Sequence, residues 1–285
     1  MSELQHNAVV FSGGSFHPRR YRERMLQVIM ETFNMRGMHI ASDAVCSLFS
    51  TGRSTGVVLD CGAGVTHTVP IYEGHNLRYA VSGQNLGGND LTQLIRTELA
   101  PFSFRPLQPR TGSDMYPYPH AINNMKESTD LFFVTSNYES EAQTTGIETA
   151  YQLPDGQTIT LNSERYRYPE LLFQPNLNEH TKDKQGVHQL LINSIQSVDE
   201  SLHAELFANT VISGGSCMFS GMKQRLEMEL GKLSDHVVEI IEPTSKLNSA
   251  WVGASIIASL AEFNRMMVTY DLYDEYGPMV VNRMI

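Results

Sequence analysis

VVLDCGAGVTHTVPIY, residues 57–72, decides the fold. Two runs rich in β-branched residues flank a turn that carries Gly62 and Gly64, and Asp60 ends the first run. That arrangement is a hairpin pattern. Glycine lets a backbone approach a ligand closely, so the amides of residues 62 to 65 can face an anion. Asp60 is then placed to hold a water on a phosphate-bound Mg2+. A purely structural hairpin fits the same residues.

A second glycine turn, Ser213-Gly214-Gly215-Ser216, follows the apolar run Thr210-Val211-Ile212 and opens a helix expected over 219–230. The free amides and dipole of a helix start favour negative charge. Neither turn contains the G-K-[ST] of a P-loop, and neither matches GxGxxG. Taken singly, His67 reads as a packed strand histidine and Asp43 as a helix N-cap. No Ser-His-Asp or paired-carboxylate signature is present.

Outward from these turns, strands and helices alternate. Expected strands cover 7–11, 38–41, the hairpin, 77–81, 210–212 and 237–241, with a further hairpin at 145–161 turning on Pro154-Asp155-Gly156. Expected helices cover 20–35, 44–50, 90–99, 121–134, 187–198, 200–207 and 250–263. In the first of these, Met25, Val28, Ile29 and Phe33 have helical spacing. Residues 101–120 hold five prolines and read as an exposed loop. The alternation indicates α/β class.

At 285 residues and 41% hydrophobic, the chain can build one large or two modest cores. A formal net charge of −10 argues against nucleic acid or an anionic membrane as direct partner. The densest basic cluster, Arg19, Arg20, Arg22 and Arg24, reads as a solvated helix face. Cys46, Cys61 and Cys217 are far apart with no CxxC pair, which fits a reducing compartment. No export signal and no apolar run of membrane length is seen, so a soluble cytosolic or nuclear protein is expected.

From about residue 7 to its end the chain resembles actin. The similar segments stand in the family's order: RERMLQVIMETFN, STGVVLDCGAGVTHTVPIYEG, LGGNDLTQLI, YQLPDGQTITLNSERYRYPELLFQP, FANTVISGGSCMF and WVGASIIASLAEF, with YDEYGP near the C-terminus. An actin-related or actin-like protein is the implied class. The resemblance implies an α/β fold of two lobes, of the actin, Hsp70 and hexokinase kind, with ATP or ADP and Mg2+ in the cleft between them. In that frame, 1–50 and 247–285 form a remnant of the first lobe, 51–86 and 182–246 the base of the second, and 87–181 its outer subdomain.

The resemblance also implies site roles. Asp60, Gly62, Gly64 and Val65 fall in the second phosphate hairpin, with Asp60 in the metal-water position. Gly88, Lys126 and Glu127 correspond to ribose and adenine contacts. Gly214, Gly215, Ser216, Met218 and Phe219 fall in the segment that wraps the nucleotide, where the family usually has threonine for Ser216 and tyrosine for Phe219. Lys246 falls one position from the basic residue on the adenine side. His67 matches the histidine beside the attacking water, and Asp43 stands where the family has the glutamine that orients it. Ala63 replaces a metal-side aspartate. In family terms the chain begins inside the first lobe, without the first phosphate hairpin.

The reading that follows is a cytoskeletal actin-related protein of the cytoplasm or nucleus with a weak or vestigial ATP site. Hydrolysis is expected to be very slow or absent, and the protein is expected to act as a filament-associated or complex-forming subunit. Its implied partners are actin or actin-like subunits and actin-binding proteins, docking on Phe49, Val252, Ile256 and Leu260. Alternatives are an ATPase completed in trans by another chain, a truncated and poorly folding paralogue, and a sugar kinase of the same superfamily.

Overall fold

The computed structural model describes residues 7–14, 18–99, 118–128, 130–141, 148–153 and 156–283. Strands β1 (Ala8–Gly13) and β2 (Gly37–Ser42) run parallel, joined through helix α1 (Arg19–Gln27) and a π-helical turn at Val28–Thr32. The extra residue in that turn rotates the apolar stripe. Leu26, Ile29 and Met30 face the core, whereas Phe33, expected on the same face, is 48% exposed. Helix α2 (Asp43–Phe49) follows β2 directly.

Next come β3 (Gly56–Cys61) and β4 (Thr66–Tyr72), an antiparallel hairpin in which Asp60 faces His67. The strand expected at 77–81 is not formed. Short strands β5 (His75–Asn76) and β6 (Ser82–Gln84) both pair with β4, and a 3-10 turn at Arg78–Ala80 separates them. Leu77 donates its amide to Pro70 O and its carbonyl accepts from Ala80 N, so this segment bends where a strand would run on. Helix α3 (Gly88–Leu99) begins at the foot of β6.

The proline-rich loop lies mostly outside the described residues. Helix α4 (Tyr118–Lys126) starts three residues before the expected 121 and stops eight residues before the expected 134. Phe133 instead makes a parallel bridge to Ser220, and Val134 N donates to Ser220 O at 2.7 Å, so tertiary pairing ends the helix early. After the short α5 (Tyr138–Glu141), β7 (Thr149–Gln152) and β8 (Thr158–Leu161) form the expected hairpin. Pro154 and Asp155 of its turn lie outside the described residues.

Helices α6 (Glu164–Glu170), α7 (Val187–Gln196) and α8 (Glu200–Ala208) lead to β9 (Thr210–Ser213). A 3-10 turn (Gly215–Met218), α9 (Met222–Leu233) and the two-residue β10 (Ile240–Ile241) follow. The chain then forms α10 (Ser249–Ser259), α11 (Phe263–Met266), β11 (Val268–Thr269) and α12 (Tyr270–Tyr276), and a 3-10 turn over Pro278–Arg283. The helix expected at 219–230 starts three residues late because Gly221, at φ 84°, packs where a Cβ would lie 2.0 Å from Val134 O.

Three sheets result. The largest has the order β10-β9-β3-β4-β5, with β6 also on β4, and its core includes Leu59, Phe173, Leu191, Ile212 and Leu226. A smaller sheet, β1-β2-β11, packs on Leu26, Met30, Met38 and Val281. Pair β7-β8 packs with α3 and α4 on Ile95, Met125 and Leu161. Helix α2 joins the first two sheets and is clamped by α10, where a Cβ on Gly253 would lie 1.7 Å from Cys46 O. Among the described residues no helix is long and apolar enough to cross a membrane.

Candidate nucleotide site

The hairpin turn is held from below. Gly62 N donates to Val65 O at 3.0 Å and closes it. The carbonyl of Gly62 accepts from Gly88 N at 3.0 Å and from Ser216 Oγ at 3.0 Å, and that of Ala63 accepts from Asn89 N at 2.7 Å. The start of α3 and the 3-10 turn after β9 therefore grip the carbonyl side of the turn. The amides of Ala63, Gly64 and Val65 take no partner among the described residues, and these three residues are exposed. An anion placed over the turn would meet donors rather than acceptors.

Two glycines make this packing possible. A Cβ on Gly214, at φ 91°, would lie 2.4 Å from Cys61 O, so the 213–216 turn sits directly on the strand that ends at the hairpin. A Cβ on Gly88 would lie 3.1 Å from Lys126 Nζ and 3.2 Å from Ser216 Oγ. Gly88, Lys126, Ser216 and Ala63 thus converge from four separate stretches of chain. Lys126 Nζ donates to Gly88 O and to Thr92 Oγ1, both at 3.0 Å. Burial lowers the Lys126 pKa, with Glu127 opposing the shift.

On the other side of the hairpin, Asp60 accepts a short hydrogen bond from Ser213 Oγ. The parallel register β3–β9 sets Asp60 opposite Ser213 and so fixes this contact. Burial pushes the Asp60 carboxyl up, against the Ser213 bond and the charge of His67. His67 is 7% exposed, and its Nε2 lies 3.8 Å from Asp43 Oδ1, an ion-pair contact longer than a hydrogen bond. Burial works against its charge, but Asp43 and then Asp60 outweigh it and raise its pKa. The Asp43 Oδ1 atom also accepts from Ala44 N at 2.7 Å, which anchors the carboxylate at the start of α2. Ser42 occupies the cap position, and its side chain makes no capping bond to the helix.

The remaining expected residues lie around this centre or apart from it. Gly214 N donates to Lys246 O at 3.1 Å, which brings the backbone of Lys246 to the wrapping turn. Its ammonium is turned to Glu242 Oε1 at 2.8 Å. Met218 is 55% exposed, and Phe219 is half-buried against the core. Glu127 is exposed. Elsewhere, Ile256 of α10 and Leu260 just past its end are 39% and 41% exposed, Val252 is half-buried, and Phe49 packs with its Cζ 3.2 Å from where a Gly74 Cβ would lie.

Sequence reasoning missed Ser213, Asn89 and Thr92. Only strand register reveals Ser213, and Asn89 acts through its backbone amide, which any residue supplies. Among the described residues no group of three or more His, Cys, Asp or Glu side chains could hold a metal ion directly.

A family model for actin matches residues 2–285. The chain belongs to the actin family. Its sheets and helices are those of the actin-like α/β fold, and the convergence of the hairpin, α3, α4 and the 3-10 turn takes its meaning from that membership. Actin-family proteins generally bind ATP or ADP with Mg2+. The donor set here fits the anionic part of such a ligand, since open amides and a glycine-lined cradle are in place. It fits the metal only through water, because Asp60 is the one carboxylate at the turn and Ala63 supplies none.

Proposed function

We propose that this actin-family chain is a cytoskeletal subunit that binds ATP or ADP with Mg2+ weakly and hydrolyses it very slowly or not at all. The observation that carries the reading is the pre-built hairpin. Its carbonyls are tied down by Gly88, Asn89 and Ser216, while the amides of 63 to 65 remain available. In this reading Gly62, Gly64 and Val65 cradle phosphate oxygens, Gly88, Lys126 and Glu127 line the sugar and base, and Gly214, Gly215, Ser216, Met218, Phe219 and Lys246 close over the nucleotide. Asp60 holds a metal-bound water. When bound, Mg2+ draws charge from the phosphate oxygens.

The same site is poorly equipped for turnover. A water-orienting position needs a neutral group that can both donate and accept, and Asp43 offers a carboxylate already paired with His67. Negative charge there opposes a phosphate nearby. Loss of one electrostatic positioning group costs roughly a hundredfold in rate, and both Asp43 and Ala63 count against catalysis. In this reading 1–50 and 247–285 belong to the first lobe, 51–86 and 182–246 to the base of the second, and 87–181 to its outer subdomain. In the cytoplasm or on the cytoskeleton, actin-like subunits or actin-binding helices would dock on Phe49, Val252, Ile256 and Leu260.

The experiment is Ala63→Asp, read by displacement of a fluorescent ATP analogue in Mg2+. The added metal-side carboxylate should tighten Mg-ATP binding by about tenfold, or ~1.4 kcal/mol, and leave binding in EDTA unchanged. Equal affinity of the two proteins in Mg2+ would refute the placement of the metal at this turn. Ile256→Asp should abolish capture of an amphipathic helical peptide with the circular dichroism intact; retained capture would refute the docking face.

A further inference from the structure

The run Val237-Val238-Glu239-Ile240-Ile241 has the composition of a strand, yet only Ile240 and Ile241 pair, as β10 at the edge of the largest sheet. The residue before them is held on one side. Glu239 N donates to Phe207 O at 3.0 Å, and its carbonyl accepts from Thr210 N at 3.3 Å. The backbone groups of Val237 and Val238 take no partner among the described residues. Val238 packs on the core, whereas Glu239 is exposed and Val237 is 82% exposed. Neither proline nor lysine blunts this edge, and unused backbone groups at a sheet edge are a template for another strand.

At the start of this run a cavity of about 420 Å3 opens between α8 and residues 233–236. Its wall is made of rings. His236 stacks on Phe207 with centroids 5.4 Å apart, and His203 stands edge-on to His236 at 6.2 Å. His203 is fixed in turn, because its Nε2 donates to Val198 O at 3.0 Å. A carbonyl only accepts, so that nitrogen carries the hydrogen. Glu200 and Asp235 add two carboxylates to the lining, and neither enters an ion pair among the described residues. No lysine or arginine among the described residues lines the cavity. Aromatic faces beside unpaired carboxylates suit a flat cation.

We propose that this edge and this cavity together take an extended, arginine-bearing peptide segment of a partner protein. The segment adds as a strand beside Val237–Glu239 and bonds to the backbone groups left unused there. Its arginine enters the cavity, where the guanidinium lies against the His236 ring and meets Glu200 and Asp235. Strand addition supplies main-chain bonds that any sequence can make, and the cavity selects the side chain. Arginine suits the cavity better than lysine, because its plane stacks on a ring and grips a carboxylate with two parallel hydrogen bonds. An acidic segment would face Glu200, Asp235 and Glu239. A second copy of this chain would bring a net charge of −10 against the same charge.

The test uses the full chain and a fluorescein-labelled peptide, Gly-Thr-Val-Arg-Val-Thr-Gly, read by anisotropy. Citrulline in place of the arginine keeps the shape and removes the charge, and should weaken binding about tenfold. N-methylation of alternate peptide residues should weaken binding about tenfold for one set and leave it unchanged for the other, because one edge of a strand pairs while the other faces water. Glu200→Gln/Asp235→Asn should lose about tenfold with circular dichroism unchanged, since both side chains are exposed. Absence of peptide binding, equal binding of the citrulline peptide, equal loss from both methylated sets, or indifference to the carboxylate variant would each overturn the proposal. Dimerisation of the chain alone, abolished by Val237→Lys, would give the edge to a second copy and overturn the choice of occupant.

Discussion

The two larger sheets differ in how firmly they are enclosed. In the sheet built on β3, β4 and β9, residues Val57 to Leu59 and Val211 to Ile212 are fully buried, with helices packed against them. In the sheet β1-β2-β11 only β2 is buried along most of its length; Val9, Val10 and Phe11 of β1 are half-exposed. The candidate nucleotide floor rests on the first sheet, whereas Asp43 reaches it from α2 at the end of the second. Under the proposed function, the nucleotide-binding elements sit on the more enclosed sheet and Asp43 on the looser side.

The largest effect is expected at the buried ion pair that braces the core of the larger sheet. Arg225 donates to both carboxylate oxygens of Glu170, to Thr135 O and to Glu229, and it stacks over Phe173 at 4.7 Å. Glu170→Ala leaves the buried Arg225 with Glu229 as its remaining carboxylate and its two Glu170 bonds unmade, and should cost about 3 kcal/mol, measured by urea unfolding. A cost under about 1 kcal/mol would mean that water reaches the pair and that this core is not the more rigid of the two.

Paired truncations sharpen the contrast. Leu59→Ala should cost about 2–5 kcal/mol, because the site is sealed and cannot collapse. Phe11→Ala, half-exposed on β1, should cost roughly half as much despite its larger side chain. Equal costs would contradict the difference in enclosure.

A smaller effect is expected at the turn itself. Gly214→Ala forces a Cβ toward Cys61 O in a backbone region that favours glycine, at about 1–3 kcal/mol of strain. It should weaken nucleotide binding more than it lowers stability, because relief of the clash moves the 3-10 turn off the hairpin. Nucleotide affinity left unchanged would separate this turn from the site.

Acidification probes the β1-β2-β11 sheet most gently. Burial holds the His39 pKa below its ordinary value, despite its hydrogen bond to Met266 O. The unfolded chain then binds the proton more readily, so the stability His39 contributes is present above about pH 6.5 and is lost as pH falls through its folded value. His188, stacked on Phe173 of the larger core, is lowered in the same direction. His39→Gln should flatten the acid limb of stability against pH in part, and the His39→Gln/His188→Gln pair should flatten it further.

The hairpin, the strand into the 213–216 turn and most long helices were legible because their apolar period and glycine turns act locally. Features set by distant packing were not. The π turn after α1 displaced Phe33, the bridge Phe133–Ser220 cut α4 short, and the 77–81 segment bent because Leu77 bonds back to Pro70. At the site, the charged and glycine positions were visible as residue types. The parallel register that gives Asp60 its serine, and the orientation that turns Lys246 toward Glu242, depend on contacts across 153 residues in one case and on a local ion pair in the other.

The proposed function requires a formed phosphate floor in a site that does not turn over. Calorimetric titration of monodisperse protein with ATP and Mg2+, followed by a phosphate-release assay on the same sample, tests it directly. The account predicts saturable binding in the micromolar to submillimolar range, lost in Gly214→Ala, with no steady release of phosphate. Absence of binding up to millimolar nucleotide, or binding accompanied by steady turnover, would contradict it.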